Sequence, residues 1–208
     1  MNIYDFKQAK FYDTVNDLDK LPDISKLEIA IVGRSNAGKS SLLNTLTNQN
    51  KLAFTSKTPG RTQHINYFTI DKSENIFLVD LPGYGYAKVP ESIRKHWILL
   101  LGNYLKNRQQ LAGLVLIMDV RHPLKDLDLH MIEFFRIRNL PIHIVLSKAD
   151  KISKSENINT INKVKERLGI INLSNYTIQL FSSLKKNGVN DLVAVLNSWL
   201  VKSTLEDI

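Results

Sequence analysis

GRSNAGKS, residues 33–40, decides how this chain folds. It matches GxxxxGK(S/T), follows the apolar run LEIAIV (27–32) and precedes residues 41–46, where Leu42, Leu43 and Leu46 share a helical face. A buried strand, a glycine-rich turn and a helix in that order make a phosphate-binding loop. Gly33 and Gly38 let backbone N–H groups turn inward around phosphate oxygens, and the helix N-terminus behind them adds partial positive charge. Lys39 has the reach to meet the β- and γ-phosphates of a nucleoside triphosphate, and the Ser40 hydroxyl is the expected magnesium ligand.

Outward from this loop, residues 52–64 (LAFTSKTPGRTQH) are rich in Thr, Ser, Gly and Pro and read as a mobile loop. Two strand-like runs follow at 65–70 (INYFTI) and 75–79 (NIFLV). The four residues DKSE between them allow only an antiparallel hairpin. The second run leads into Asp80-Leu81-Pro82-Gly83, a DxxG sequence at the carboxyl end of a strand, where open α/β sheets bind ligands. There an Asp can hold magnesium through water while the Gly N–H faces a γ-phosphate. Gly83-Tyr84-Gly85-Tyr86 reads as a second loop that moves with nucleotide state.

Ser147-Lys148-Ala149-Asp150 selects the base. The Asp150 carboxylate can accept from the N1–H and the 2-amino group of a guanine. Adenine presents an acceptor at N1 and no 2-amino group, so a carboxylate there loses both partners. A pocket built around such donors discriminates by orders of magnitude.

The remainder alternates short aliphatic runs with longer amphipathic ones. Strands are expected at 114–120, 142–146 and 176–180. Helices are expected at 90–107 (Ile93, Trp97, Leu100, Leu101 and Tyr104 inward), 125–138 (Leu127, Met131, Ile132, Phe134, Phe135), 157–168 and 190–200 (Leu192, Val195, Leu196, Trp199). The predicted fold class is α/β: a three-layer P-loop NTPase with a mostly parallel sheet, one antiparallel strand and helices on both faces. Residues 1–208 are read as one domain, with 1–26 an arm packed on it. His122 and His143 have no ligand-like neighbours at useful spacing and are read as structural or solvated.

Composition narrows the partners. The 208 residues contain no cysteine, which removes thiol nucleophiles and Cys-ligated zinc and suits a reducing compartment. The first fifteen residues carry acids and no apolar core of signal-peptide length, and the longest apolar runs are too short to span a bilayer. A cytoplasmic, monomeric protein is expected. Lys plus Arg number 28 against 20 Asp plus Glu, a net charge of +8, with a pI near 9.5. Such an excess favours an anionic partner, either nucleic acid such as RNA or an anionic membrane surface. Arg61, Lys88, Arg94, Lys95, Arg121, Lys185 and Lys186 are the candidate contacts, against the plainer reading that they are solvated surface charge.

Together GRSNAGKSSLLN, TSKTPGRTQ, DLPGYGYA, DVRHPLKDLD, SKAD and FSSLKKNGV resemble the translation-factor class of GTPases (TrmE, Era, EngA, EngB) and within it the EngB family, also called YihA or YsxC. The similarity runs from about residue 3 to residue 201, and DLPGYGYAKV and DVRHPLK are the stretches particular to that family. The resemblance implies a GTPase acting in assembly of the large ribosomal subunit, linked to cell division and septation. It also implies the site: Gly33, Arg34, Ser35, Asn36, Ala37, Gly38, Lys39 and Ser40 on the phosphates; Gly60, Arg61, Thr62, Gln63 and His64 in the first mobile loop; Asp80, Leu81, Pro82 and Gly83 at the γ-phosphate. Ser147, Lys148, Ala149 and Asp150 would hold guanine, supported by backbone contacts from Phe181, Ser182 and Ser183. Ser40 and Thr62 are the implied magnesium residues, and Lys39, Asn36 and Thr62 the catalytic set.

Two departures, at Ser147 and Tyr84, and one match, at Asn36, bear on chemistry. Ser147 replaces the usual Asn or Thr of the base motif, which lowers the expected affinity. Tyr84 stands where many GTPases place a water-orienting glutamine, so slow intrinsic hydrolysis is expected, completed by a partner or by potassium. Asn36 is the residue expected to hold that potassium, whose charge would act as an arginine finger does. The rival functional reading is a GTP-dependent binding module at the division site without productive hydrolysis. A small-molecule kinase or an ATPase motor is disfavoured by Asp150.

Overall fold

A computed structural model describes residues 4–24, 26–53, 64–85 and 91–206, with the side chains of 91–98 and 204–206 set aside. The sheet is built from β1 (Lys10–Val15), β2 (Leu27–Gly33), β3 (Ile65–Thr69), β4 (Ile76–Asp80), β5 (Leu111–Asp119), β6 (Ile142–Ser147) and β7 (Tyr176–Leu180). Five helices join them: α1 (Lys39–Leu46), α2 (Glu91–Asn107), α3 (Asp126–Arg136), α4 (Lys154–Ile170) and α5 (Val189–Glu206).

The strands lie in the order β1-β3-β4-β2-β5-β6-β7. β3 runs antiparallel to both of its neighbours, and every other pairing is parallel. The antiparallel hairpin turns on Asp71, whose carboxylate accepts from the backbone N–H groups of Ser73, Asn75 and Ile76. Central strands are covered on both sides and therefore read as unbroken apolar runs. In β2, Ile29 and Ile31 join α1 and α5 on one face. Ala30 and Val32 join α2, α3 and α4 on the other. Three layers result, as the alternation of strand and helix signals implies.

The arm contributes more than packing. Its residues Lys10–Val15 are a hydrogen-bonded edge strand on β3, and Phe6 is buried against the α1/α5 face. Tyr4 N–H donates to Asn197 Oδ1 at 2.7 Å, and Gln49 Nε2 donates to Ala9 O at 2.7 Å, fastening the arm to α5 and to the end of α1.

At the amino edge of the sheet, far from the phosphate loop, lies one fully buried carboxylate. Glu28 accepts from Arg108 Nε (3.0 Å) and Nη2 (2.7 Å), from Tyr104 OH (2.6 Å) and from Tyr67 OH (3.4 Å). Arg108 also donates to Pro22 O, so a paired and fully bonded charge joins the arm, β2 and α2.

Candidate functional site

Three loops meet at the carboxyl edge of β2, β4 and β6. β2 ends at Gly33, where a Cβ would stand 2.5 Å from Ile117 O of β5, so only glycine lets the strand pass so close to its neighbour. The chain then turns through Asn36 (φ 63°) and Gly38 (φ 107°) into α1. Ala37 N–H donates to Arg34 O at 3.0 Å, and Leu42 N–H to Gly38 O at 2.9 Å as the first bond of the helix. The loop is thus a preformed turn that aims the N-terminus of α1 outward, which is what phosphate binding requires.

Lys39 and Asp80 share the mouth of this loop. Lys39 Nζ lies 3.0 Å from where a Cβ on Gly83 would be. Asp80 is 4% exposed, and its Oδ1 is buried without a hydrogen-bond partner among the described residues. Burial pushes its carboxyl up to about 6, and the Lys39 charge works in the opposite direction. An orphaned buried carboxylate oxygen within reach of the Lys39 charge, at the loop that ends in Ser40, suits a hydrated divalent cation. Of the first mobile loop, Gly60, Arg61, Thr62 and Gln63 lie outside the described residues. His64 is described, half-buried, with Nδ1 enclosed and without a hydrogen-bond partner among the described residues.

The DxxG sequence is fixed from two sides. Leu81 N–H donates to Ile31 O at 3.0 Å. Beyond Gly83 the backbone is bridged to the phosphate loop, with Ser35 N–H donating to Tyr84 O (2.8 Å) and Tyr84 N–H to Gly33 O (3.4 Å). Tyr84 lies on the loop expected to move with nucleotide state. Its ring is buried and its OH donates to Asp128 Oδ1 at 2.6 Å, with Arg34 of the phosphate loop near enough for its charge to act on the phenol.

The base loop is tied directly to the phosphate loop. Ser147, buried at the end of β6, has its hydroxyl within hydrogen-bonding distance of Ala37 O and of Met118 O, the latter at 3.0 Å. Its small size is what fits between those carbonyls. Lys148 takes a left-handed backbone (φ 59°) and donates from Nζ to Asn36 O at 2.7 Å, while pairing with Asp119 Oδ2 at 3.0 Å. Asp119 is also gripped by Arg121 Nε (2.9 Å) and Nη2 (2.6 Å), and these bonds hold its carboxyl well below the usual range against the effect of burial. Arg121 is therefore partly spent as a surface cation. Asp150 accepts from Ser182 Oγ at 2.6 Å and pairs with Lys151 at 3.2 Å. The Ser182 bond is the main cause holding its carboxyl below the usual value. Each Asp150 oxygen keeps a lone pair for a further donor. Ala149 N–H donates to Phe181 O at 3.0 Å, which docks the Phe181–Ser183 turn behind the base loop.

The structure sets residues 33–40, 80–83, 147–150 and 181–183 on loops at one edge of the sheet, with hydrogen bonds joining the phosphate loop to Tyr84, Ser147 and Lys148. It adds three that the motifs did not single out as participants, Asp119, Asp128 and Asn157, and gives Tyr84 a partner in Asp128. Asn157 Nδ2 donates to Ala149 O at 2.9 Å from α4. Behind the base loop a groove of about 670 Å³ opens between α4, β7 and the start of α5, with Asp150 and Ser182 in its wall. Lys185 and Lys186 are exposed. Arg61 and Lys88 lie outside the described residues, as do the side chains of Arg94 and Lys95. His122 is exposed. His143 is buried between Thr177 Oγ1 (2.7 Å) and Gln179 Oε1 (2.8 Å), a structural role. Among the described residues no helix is long and apolar enough to cross a membrane.

A phosphate loop, a DxxG turn and a base loop on one edge of a mostly parallel sheet define the GTPase class of the P-loop fold. A family model described as "50S ribosome-binding GTPase" matches residues 28–148. Over nearly its whole length the chain is similar to curated proteins named probable GTP-binding protein EngB. That of Neisseria meningitidis serogroup B is 58% identical over 196 residues, covering 94% of this chain and 92% of the relative. That of Laribacter hongkongensis is 55% identical over 194 residues, covering 93% and 86%. The chain belongs to the EngB family of GTPases. Solved structures agree on the fold. The crystal structure of a probable GTP-binding protein engB superposes with a TM-score of 0.62 at 22% identity, covering 86% of this chain and 99% of that one. Aquifex aeolicus Era bound to GDP and AlF4− superposes with a TM-score of 0.65 at 23% identity, covering 83% and 56%.

Proposed function

We propose that this chain binds GTP and GDP as a molecular switch, hydrolyses GTP slowly, and uses the difference between the two states to engage the assembling large ribosomal subunit in the cytoplasm. The observation that carries the nucleotide part is the convergence of three loops. A preformed phosphate turn, an orphaned Asp80 oxygen and an ionised Asp150 lie on one edge, with Ser147 and Lys148 bonded across to the phosphate turn. Backbone N–H groups of residues 33–40 and the Lys39 ammonium hold the phosphates. Asp150 accepts from guanine N1–H and the 2-amino group, with Ser182 and Lys151 keeping the carboxylate charged and oriented. Ser40 and Thr62 would ligate magnesium, and Asp80 would hold its water shell. When bound, the ion neutralises charge that builds on the phosphate oxygens.

The slow rate rests on Tyr84. With its phenol turned to Asp128, no side chain from the position after DxxG reaches toward an attacking water. A partner or potassium at the exposed Asn36 completes the site, and turnover in potassium against sodium at equal ionic strength tests the ion. Equal rates remove it.

The ribosomal part rests on the net charge of +8 and on the description of the matching family model. Its test is co-sedimentation with large ribosomal subunits in the presence of a non-hydrolysable GTP analogue or GDP at near-physiological salt. Binding with the analogue alone is expected. No binding in either state removes the ribosomal partner. It would move the alternative forward, a GTP-dependent module at the division site without productive hydrolysis, for which single-turnover GTP cleavage with and without ribosomal particles is the discriminating measurement. The link to septation is then a consequence of ribosome supply in the first case and direct in the second.

A further inference from the structure

The stretch DVRHPLKDLD, residues 119–128, has no nucleotide-binding role in the reading above, yet it touches two of the three loops. At one end Asp119 holds Lys148 of the base loop. At the other, Asp128 is fully buried in the first turn of α3. Its Oδ2 accepts from Lys125 N–H at 2.9 Å, closing the helix N-terminus, and its Oδ1 accepts from Tyr84 OH at 2.6 Å. Arg34 of the phosphate loop is close enough to stabilise the Asp128 charge, and its Nε is buried without a hydrogen-bond partner among the described residues. The chain beyond Tyr84 packs against the same turn, since a Cβ on Gly85 would stand 3.0 Å from Leu127 Cδ1 and 3.5 Å from Arg34 Nε.

This arrangement decides where Gly83 sits. With Tyr84 held by Asp128 through its side chain and by Gly33 and Ser35 through its backbone, Gly83 is pressed onto the phosphate loop. A Cβ on it would be 3.0 Å from Lys39 Nζ and 3.3 Å from both the Cα and the N of Ser35. A γ-phosphate is gripped by the phosphate-loop lysine on one side and by the DxxG glycine N–H on the other. It must therefore lie between two residues that here stand side by side, with no room between them for a Cβ on Gly83. GDP makes no such demand.

We infer that the Tyr84–Asp128 hydrogen bond is a positioning latch that holds the DxxG loop on the phosphate loop in the GDP-compatible arrangement and must yield when GTP binds. Tyr84 and Asp128 thereby set the preference between the two nucleotides without touching either. The inference rests on the GTPase reading and names the device that separates its two states. A ligand shifts such an equilibrium only by its differential affinity for the two arrangements. Loosening the GDP-compatible one therefore raises GTP affinity relative to GDP.

The test measures dissociation constants of fluorescently labelled GDP and of a non-hydrolysable GTP analogue for the full chain, for Tyr84→Phe, for Asp128→Asn and for the double variant. Tyr84→Phe keeps the ring and deletes only the donor, so it remains readable if Asp128→Asn folds poorly. Tyr104→Phe, which deletes a buried phenol bond to Glu28 at the opposite edge of the sheet, is the control for a purely structural loss. The expected result is a rise in the analogue-to-GDP affinity ratio of roughly three- to tenfold in each latch variant, the size of one net hydrogen bond. The double variant should show no more than either single change, and Tyr104→Phe should show a lowered melting temperature with the ratio unchanged. A ratio unchanged in Tyr84→Phe and Asp128→Asn, with melting lowered as in Tyr104→Phe, overturns the latch and leaves the GTPase reading standing. Failure of the unaltered chain to bind either guanine nucleotide overturns both.

Discussion

At the scale of single residues, Asp150 is the residue proposed to choose the base, and its surroundings are what that role would need. Both oxygens already have a partner, Ser182 and Lys151, so the carboxylate is held charged and pointed before any nucleotide arrives. Replacing Asp150 with Asn puts an amide donor against the donors of guanine. GTP and GDP affinity should fall about a hundredfold or more, the cost of leaving buried donors unpaired. Xanthosine nucleotides, whose 2-oxo group accepts, should gain relative to guanosine ones in the same titration. Unchanged GDP affinity in Asp150→Asn would place the base elsewhere. Ser147 makes the complementary case. Its hydroxyl reaches Ala37 O and Met118 O, so Ser147→Ala should lower stability by about 1 kcal/mol in urea unfolding and weaken both nucleotides alike. The roles proposed for Lys39, Ser40 and Asp150 come from the sequence because each lies inside a short motif whose spacing encodes the chemistry. The pairing of Tyr84 with Asp128 does not. They are 44 positions apart, and the direction of a tyrosine ring after DxxG depends on what α3 presents to it, which no local pattern records.

At the scale of elements, legibility followed burial. β2, β4, β5 and β6 are enclosed on both faces, and their aliphatic runs announce them. β1 escaped because it is an edge strand with a single buried residue, Val15, and Phe11 left exposed. α4 begins at Lys154, earlier than its apolar spacing suggests, because Ser153 and Glu156 form a capping box. That signal stood in the sequence as S-x-x-E. The cap matters to the site, since α4 holds Asn157 against Ala149 O. The β6–β7 pair gives a prediction in pH. Gln179 Nε2 donates to Gly188 O, which turns its Oε1 to His143 Nε2 and fixes a neutral ring that accepts from Thr177. Burial lowers the His143 pKa below its ordinary value of 6.5, opposed by the Gln179 bond and the Asp191 charge, while Trp199 closes the site edge-on. The unfolded chain therefore binds the proton more readily than the folded one. The stability this neutral ring contributes is present above pH 6.5 and is lost as pH falls below it. Urea unfolding at pH 7.5 and pH 5 should show the advantage of the natural chain over His143→Gln shrinking at the lower pH. An advantage equal at both values would mean that the ring protonates as easily inside as outside.

At the scale of the whole molecule, chemistry and anchoring lie at opposite edges of one sheet. The carboxyl edge gathers the three loops, while the amino edge is closed by Glu28, Arg108, Tyr104 and Tyr67. The surplus of eight positive charges is not drawn from either set, because Arg108 and Arg121 are paired with carboxylates. Lys185 and Lys186 differ. They are exposed on the turn that follows Ser182, where Lys185 N–H donates to Ser182 Oγ beside Asp150. A cationic turn that close to the base loop can touch a partner's phosphates without entering the nucleotide site. If the large ribosomal subunit is bound through its RNA, the logarithm of affinity should fall linearly with the logarithm of salt, each phosphate contact contributing a slope of roughly −0.7 to −0.9. Replacing Lys185 and Lys186 together with Ala should then weaken co-sedimentation across the salt series and flatten the slope by about one to two. A weakened affinity with an unchanged slope would mean that the two lysines meet protein or shape the turn, and that the charge of the chain acts from another face.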